Sequence, residues 1–222
     1  MATWTLMKRT NSKIDLTLDY HAHVLPGCDH GSDSVETSRK QLAMAAAARV
    51  RTVCATPHFY PHKESIPSFL QRREASARLL RENLTADALQ LQLGAEVLIC
   101  DGMERLDGLP RLCRSETNEL LLEMPFYQWP ETIWDTLYAL CERRDIEIVL
   151  AHAERYSPEA IEQLIRDNVA LQLNSECLTR PLHRKRYLTW IKNGSVKYLG
   201  SDIHMLGDGY RAWEKCVKLL SK

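Results

Sequence analysis

Short apolar runs alternate with segments of helical periodicity along most of the chain. Alternating or continuous apolar runs predict strands, and apolar residues spaced three and four positions apart predict helices. The predicted strands are Ile14–Asp19, Arg51–Ala55, Leu89–Val97, Asn118–Glu123, Ile146–Ala151, Val169–Leu173 and Val196–Gly200. The predicted helices are Val35–Arg49, Ser68–Asn83, Trp129–Arg143, Pro158–Asp167, Pro181–Asn193 and Tyr210–Leu220.

The alternation of strands and helices predicts βα units and a mainly parallel sheet. About seven such units are too many for a small open sheet, and they favour a closed or nearly closed barrel of the (β/α) type. No repeat, low-complexity tract or linker divides the chain. We therefore expect an α/β fold with one domain, residues 16–222, preceded by an N-terminal extension, residues 1–15, to which no role is assigned.

Composition and charge restrict the classes of function. The 222 residues carry 29 Lys and Arg against 29 Asp and Glu, and 45% are hydrophobic. Zero net charge argues against a nucleic-acid binder, and no apolar run has the length of a membrane span or a signal peptide. The seven cysteines include no CxxC pair, which argues against a zinc ribbon, and their odd number in a chain of this length argues against a disulfide framework. We expect a cytoplasmic protein that neither binds nucleic acid nor inserts into a membrane.

Residues that can bind metal ions stand at the end of nearly every predicted strand. In a βα barrel these strand ends meet at one face, where reactive residues lie. A single histidine is more often structural, but histidines and carboxylates that recur at this position suit zinc, manganese or iron, and their number predicts more than one ion. They are His21, His23, His30, His58, Glu96, Glu123, His152, Asp202 and His204, and Asn174 stands at a further strand end.

Other common chemistries lack their sequence signatures. A cysteine-phosphatase loop is absent, because Arg105 follows Cys100 one position too early. The chain also has no GxSxG elbow, Walker A loop, GxGxxG motif or HExxH motif. The common signatures of hydrolases, nucleotide-binding proteins and zinc proteases are therefore absent from the sequence.

The segment Asp19–Gly31 resembles the opening motif of the polymerase and histidinol phosphatase (PHP) superfamily. Within it, the chain is most similar to the bacterial manganese-dependent tyrosine phosphatases of capsule and exopolysaccharide synthesis. The resemblance covers residues 16–206, most of the chain. Later motifs of that branch are matched, in order, by Ala55–His58, Gly94–Glu96, Ala151–Tyr156 and Ser201–His204.

The resemblance implies the PHP fold, a distorted (β/α)7 TIM-like barrel, as a single domain. It also implies three divalent metal ions, which we expect to be manganese, with iron or zinc as alternatives. The implied ligands are His21, His23, Glu96 and Asp202 for one ion; the shared Glu96 with Glu123 and His152 for a second; and His58, His204 and a residue of the Asp29–His30 loop for a third.

The implied activity is hydrolysis of a phosphoester by attack of a metal-activated water on phosphorus, with a phosphotyrosine protein as the substrate. The expected partner is the tail of a membrane-associated bacterial tyrosine kinase of capsule or exopolysaccharide synthesis. The implied catalytic residues are Arg155, Asp202 and His58, and Arg155 would contact the phosphate.

Three further residues are candidates for substrate binding. Tyr60 and His62 follow His58 and would line a pocket for an aromatic ring, while Asn174 would orient a ligand or the phosphate. Ordinary loop roles for Tyr60 and His62, and a structural role for the Asn174 amide, remain open alternatives.

Two other functions stay open at this point. One is a small-molecule phosphatase acting on a substrate like histidinol phosphate, and the other is a catalytically weak PHP binding module. The chain departs from the branch where Asp29-His30-Gly31 replaces Asp-Asp-Gly, in its short C-terminal segment, and in the residues that precede the first strand. A polymerase proofreading module is disfavoured by the zero net charge. The oligomeric state is not predicted.

Overall fold

The computed structural model describes residues 13–85, 89–207 and 209–221, so most of the expected N-terminal extension lies outside the described residues. Across these ranges the chain forms nine strands and seven α-helices. The strands are β1 (Leu18–Ala22), β2 (Thr52–Ala55), β3 (His58–Phe59), β4 (Gln90–Leu93), β5 (Glu96–Leu98), β6 (Glu119–Glu123), β7 (Glu147–Leu150), β8 (Ala170–Asn174) and β9 (Val196–Gly200). The helices are α1 (Val35–Ala47), α2 (Ile66–Glu82), α3 (Glu131–Cys141), α4 (Pro158–Arg166), α5 (Ser175–Thr179), α6 (Arg184–Lys192) and α7 (Gly209–Leu220).

All the paired strands run parallel. One sheet has the order β1-β2-β4 and the other the order β3-β5-β6-β7-β8-β9. The edges β1 and β9 approach each other, since Asp202 donates its backbone N–H to His21 O at 2.7 Å and His23 donates to Ile203 O at 3.0 Å. The structure therefore confirms a parallel α/β fold in a single domain.

Side-chain caps explain where several helices begin. Ser34, Ser65 and Ser157 accept hydrogen bonds from the backbone three residues later, at the starts of α1, α2 and α4. Such a bond satisfies a backbone N–H that has no partner within the helix. Among the described residues, no helix combines the length and the apolar character needed to cross a bilayer.

The predicted strand bounds were wrong at two places. The first strand lies at Leu18–Ala22 instead of Ile14–Asp19, so His21 lies within the strand and not beyond it. The segment 89–97 is divided into β4 and β5 at Gly94, and Glu96 therefore begins a strand instead of ending one. The short strand β3 was not predicted; it is separated from β2 by Pro57, which has no N–H to continue the ladder.

Two apolar clusters form the core. The larger one combines strand residues with residues of the surrounding helices, among them the fully buried Trp213 of α7. The smaller one consists of residues on or next to strands: Leu18, Tyr20, Leu121, Val149 and Ala151. The strands are thus buried on two sides, as expected for parallel sheets.

A buried charge cluster surrounds Glu119 at the start of β6. Arg114 donates from Nη2 to Glu119 Oε2 at 2.7 Å, and Tyr198 donates its hydroxyl to Oε1 at 2.5 Å. Lys197 Nζ also lies 2.8 Å from Oε1, and the ring of Tyr198 stacks on Tyr20 at 3.9 Å. Although burial alone would raise the pKa of Glu119, hydrogen bonds with Lys197, Tyr198 and Arg114 lower it.

Replacing this carboxylate tests how much the cluster stabilises the fold. We expect Glu119→Gln to lower the free energy of unfolding at pH 7 by about 2–4 kcal/mol, because the partly buried Arg114 and Lys197 lose the buried carboxylate that they share. The lowered pKa makes this contribution complete above the ordinary value of 4.5, and it is lost as the pH falls through the folded-state pKa. Urea unfolding monitored between pH 7 and pH 3 measures both effects.

Glu147→Gln is the matched control. Glu147 bonds the same Lys197 Nζ at 2.8 Å, but its side chain is 48% exposed, so its loss costs at most about 1 kcal/mol. Equal destabilisation by the two substitutions would contradict a special role for the buried cluster.

Candidate metal centre

His21 in β1 and His23, which directly follows the strand, point the same way, as alternate residues of an extended chain do. Their side chains are buried, and the Nε2 atoms of His21 and His23 lie 3.1 Å apart. His21 Nδ1 lies 3.2 Å from Gln172 Oε1, and His23 Nδ1 lies 2.7 Å from Asp29 Oδ2. Because these oxygens only accept, each Nδ1 carries a proton, and each ring directs its Nε2 toward the common space, where the neutral form would offer a lone pair to a metal ion.

The carboxylate of Glu96 lies at the centre of the histidines. Its Oε2 is 3.2 Å from Nε2 of both His21 and His23 and 3.0 Å from Nδ1 of His58. Its Oε1 is 2.8 Å from Nε2 of His152, which follows β7. Pairing of β3 with β5 places His58 directly opposite Glu96. One buried carboxylate thus contacts four histidines from three parts of the chain.

Asp202, just after β9, completes one side of the cluster. Its Oδ1 lies 3.5 Å from Nε2 of both His21 and His23. Its Oδ2 accepts hydrogen bonds from Asn174 Nδ2 at 2.9 Å and from Arg155 Nη2. The Arg155 side chain is 44% exposed, so its guanidinium connects the buried carboxylate with solvent.

Further rings lie on the outer side of the cluster. Nε2 of His204 is 3.4 Å from Nε2 of His58. The exposed His30 stacks on these two rings, with centroid distances of 4.7 and 4.5 Å. Asp29 contacts the cluster differently, because its Oδ2 accepts the His58 backbone N–H at 3.0 Å as well as facing His23. The loop therefore brings His30 among the rings, while Asp29 orients them.

Within the part of the chain that the structure describes, three groups of side chains are compact enough to hold a metal ion. Within each group the ligand atoms lie within 4.8 Å of one another. Each group shares two of its residues with the others, so they form one continuous cluster, to which His152 is linked by a 3.5 Å contact with Glu123. The groups are His21, His23 and Glu96; His58, Glu96 and Glu123; and His23, His58 and His204.

The carboxylates of the cluster are ionised, whereas its histidines differ in charge. Burial alone would raise the pKa of Glu96, but the charge of His21 and several hydrogen bonds hold it well below its usual range. Burial likewise opposes ionisation of Asp202, and His21 again lowers the pKa of the carboxyl. Burial lowers the pKa of His58 to about 3, so this ring is neutral. Ionised carboxylates and neutral imidazoles are the forms that coordinate metals. Burial alone would lower the pKa of His21, His23 and His152, but the nearby carboxylates raise it, to about 9 for His152, so metal binding would release protons from these rings.

Whether the cluster suits a metal ion can be judged from those of its buried polar atoms that have no hydrogen-bond partner. Nδ1 of His58, Oε2 of Glu96 and Nδ1 of His152 are buried and have no hydrogen-bond partner. Leaving such an atom unsatisfied costs on the order of 1–3 kcal/mol. A divalent cation takes lone pairs from imidazole and carboxylate alike, and manganese, iron and zinc accept this mixture. The residues present therefore fit a metal centre.

Strained backbone and close packing hold the ligands in place. His152 and Asp202 have left-handed φ values of 30° and 51°, which cost about 1–3 kcal/mol each in non-glycine residues and recur at functional sites. Gly200 at the end of β9 lies against β1, and a Cβ there would be 2.5 Å from His21 Cβ. The fold tolerates both features at the strand ends that carry the cluster.

A cavity of about 1010 Å³ opens beside Glu123, and Tyr60 and His62 line it. The Tyr60 ring stacks on His58 at 5.4 Å, and the exposed His62 ring is 6.0 Å from Tyr60. The structure thus brings both predicted pocket residues next to the cluster. Asn174 lies elsewhere, on the side of Asp202.

Sequence reasoning missed Gln172. Besides orienting His21, its Oε1 accepts the His152 backbone N–H at 2.7 Å, and its Nε2 donates to Asn174 Oδ1 at 2.9 Å. The available signal was a buried polar residue between two leucines of a strand, a position at which a hydrogen-bonding role is expected.

Two known proteins are similar to this chain over most of its length, and both are named tyrosine-protein phosphatases. The chain is 26% identical over 225 residues to the tyrosine-protein phosphatase CpsB of Streptococcus pneumoniae, covering 92% of this chain and 90% of that protein. It is 25% identical over 202 residues to the tyrosine-protein phosphatase YwqE of Bacillus subtilis (strain 168), covering 84% of this chain and 77% of that protein.

A solved structure supports the fold. It comes from work on YwqE from Bacillus subtilis and CpsB from Streptococcus pneumoniae, described as unique metal-dependent tyrosine phosphatases. The match has a TM-score of 0.73 at 23% identity and covers 92% of this chain and 86% of that one. The family model for capsular polysaccharide synthesis, CpsB/CapC, matches residues 17–222. Because this match spans nearly the whole chain, the protein belongs to the CpsB/CapC family of capsular polysaccharide synthesis.

Proposed function

We propose that this chain is a metal-dependent protein-tyrosine phosphatase. The observation that carries the proposal is the Glu96 carboxylate, which contacts four histidines in a cluster open to solvent beside Arg155. Membership in a family whose members CpsB and YwqE are named tyrosine-protein phosphatases supports the same activity.

The metal content we propose is three divalent ions, with manganese as the metal and iron or zinc as alternatives. The three overlapping ligand groups support this number. When bound, such ions stabilise phosphoryl oxygens as Lewis acids and acidify water. We assign His21, His23, Glu96 and Asp202 to the first ion; Glu96, Glu123 and His152 to the second; and His58, His204 and the Asp29–His30 loop to the third.

The surrounding residues would bind and orient the phosphoryl group. Arg155 offers a planar fork of donors that matches two phosphate oxygens. Its bond to Asp202 holds this fork at the edge of the cluster. Asn174, bonded to the same carboxylate, keeps Asp202 turned toward the histidines. His58, neutral at physiological pH, completes the proposed catalytic set as a ligand.

The leaving group would occupy the cavity of about 1010 Å³ beside Glu123. Tyr60 and His62 line it and offer aromatic faces to a phenol ring. A phenol has a pKa of about 10, so it leaves without strong acid assistance. The partner we propose is a phosphotyrosine protein, the cytoplasmic tail of a membrane-associated bacterial tyrosine kinase, in keeping with the family's connection to capsule synthesis.

We also propose that the two sheets close into a distorted seven-stranded barrel formed by residues 16–222. The two-residue breaks between β2 and β3 and between β4 and β5 support this, because each pair then counts as one strand. The backbone bonds between the ends of β1 and β9 would close the ring. The family match, which begins at residue 17, supports the domain boundary.

A phosphatase assay tests the proposed function. Purified chain supplied with Mn²⁺ is expected to release phosphate from a phosphotyrosine peptide, and a chelator should reduce turnover to background. Glu96→Gln, which keeps the shape of the side chain and removes its charge, is expected to lose metal and turnover together. Phosphate release and bound metal are measured on the same samples, and circular dichroism checks the fold.

The control for this assay is Glu82→Gln, because Glu82 is an exposed glutamate on α2 that should leave both readouts unchanged. Hydrolysis of histidinol phosphate without hydrolysis of the peptide would show that the substrate is a small phosphoester and not a phosphotyrosine protein. If neither substrate is hydrolysed and no metal is bound, the proposal that the chain is an enzyme would be contradicted, and a binding module would be favoured.

The phosphate contact of Arg155 is testable separately. We expect Arg155→Lys to lower kcat/KM for a phosphotyrosine peptide roughly 10- to 100-fold, because one charge-assisted hydrogen bond to phosphate is lost. Bound metal should stay at the wild-type level. Arg180→Lys is the control, since Arg180 is exposed and bonds Glu176. An unchanged kcat/KM in Arg155→Lys would show that this arginine is structural.

A further inference from the structure

Two exposed aromatic side chains lie beside the metal centre. Phe126 and Tyr127, between β6 and α3, are each 65% exposed. Large exposed apolar side chains are otherwise confined, within the described residues, to Leu79 on α2 and to positions after β8 and β9. Exposed aromatic groups beside a cavity are typical of contact sites for a partner. Those after β8 and β9 are Leu182, Met205 and Leu206.

The connection that carries Phe126 is held by specific contacts. Met124 donates its backbone N–H to the Tyr156 hydroxyl at 3.0 Å, and Trp129 Nε1 donates to Pro125 O at 2.8 Å. The Phe126 ring also stacks against His152 and Tyr156, with centroid distances of 5.8 and 6.0 Å. Its exposed ring is therefore positioned before any ligand binds, which lowers the entropic cost of binding.

Phe126 separates two cavities. On one side is the cavity of about 1010 Å³ that contains Glu123, and on the other is a cavity of about 550 Å³. Phe126 and its neighbours Pro125 and Tyr127 line both. Arg155, the proposed phosphate contact, lies at the edge of the second cavity. A substrate bound at the metal centre therefore has a second cavity within reach.

Aromatic side chains make up much of the lining of the second cavity and indicate the kind of side chain that it would bind. Trp129 packs edge-on against Trp134 at 5.1 Å and against Tyr156 at 5.3 Å, and all three rings line the cavity. Glu159 and Gln163 supply polar atoms among the lining residues. Aromatic rings of this kind bind apolar or aromatic side chains through their large apolar faces.

We propose that the cavity of about 550 Å³ is a subsite for a large apolar or aromatic side chain that lies one or two residues from the phosphotyrosine of a polypeptide substrate. The inference rests on the proposed function and adds sequence selectivity to it. Extended peptides advance about 3.3 Å per residue, so a residue this close spans the width of one ring such as Phe126. Small phosphoesters lack this second anchor.

Kinetics on a peptide series test the subsite. The probes are a phosphotyrosine peptide with alanine at the other positions and four relatives with a single phenylalanine two or one residues before or after the phosphotyrosine. We expect one placement to raise kcat/KM about tenfold, which corresponds to about 1.4 kcal/mol. Two variants should bring this ratio close to one: Phe126→Ala, which removes the shared wall, and Ala160→Phe, which fills the cavity from α4.

The control is Leu79→Ala, which removes another exposed apolar side chain on α2 and should leave the ratio unchanged. Equal kcat/KM for all five peptides in the wild-type chain would overturn the subsite and leave the phosphatase proposal intact. A preference that persists in both cavity variants would also overturn it, because the side chain would then bind elsewhere. Failure to hydrolyse any of the peptides would refute the phosphatase proposal and the subsite with it.

Discussion

A buried negative charge is the constraint on which the centre of this protein depends. Glu96 is 1% exposed, and an isolated carboxylate at such a place would cost more than a whole domain's net stability. Four histidines surround that charge, and the raised pKa of three of them, His21, His23 and His152, lets them offset it. They come from β1 and the residue after it, from β3, and from a residue that follows β7. The strands must therefore be arranged so that these side chains converge. The unpartnered Oε2 of Glu96 and Nδ1 of His58 remain as donors of lone pairs, which is why the cluster suits metal ions.

The rest of the architecture keeps this convergence fixed. Gln172 orients both the His21 ring and the His152 backbone N–H. Gly200 leaves room for the His21 side chain, and the left-handed conformations of His152 and Asp202 turn the chain at the strand ends. The cluster around Glu119 shows the same solution elsewhere, with a buried carboxylate held by cations and tyrosines. In both cases the partners of a buried carboxylate come from several strands. The carboxylate is satisfied only when those strands are correctly arranged, so the polar cluster specifies the arrangement as well as stabilising it.

Much of the fold followed from the sequence, because β9 and helices α1 and α4 have clear periodicity and, for the helices, serine caps. The rule that reactive residues stand at strand ends also grouped the histidines and carboxylates that the structure brings together. The strands β3 and β5 could not be predicted, since two or three residues carry no period and their limits depend on Pro57 and Gly94. The orientation of individual side chains could not be predicted either, because it depends on tertiary contacts. Examples are Asp29, which faces His23, and Phe126, which separates two cavities.

The central claim is that Glu96 is the shared ligand of a cluster of divalent ions. Anomalous diffraction from crystals grown with Mn²⁺, collected on both sides of the manganese edge, tests this most directly. We expect strong peaks within bonding distance of both Glu96 oxygens, one beside His21 and His23 and another beside Glu123 and His152, with a third beside His58 and His204. Peaks that avoid Glu96, or no peak in the cluster at saturating Mn²⁺, would contradict it.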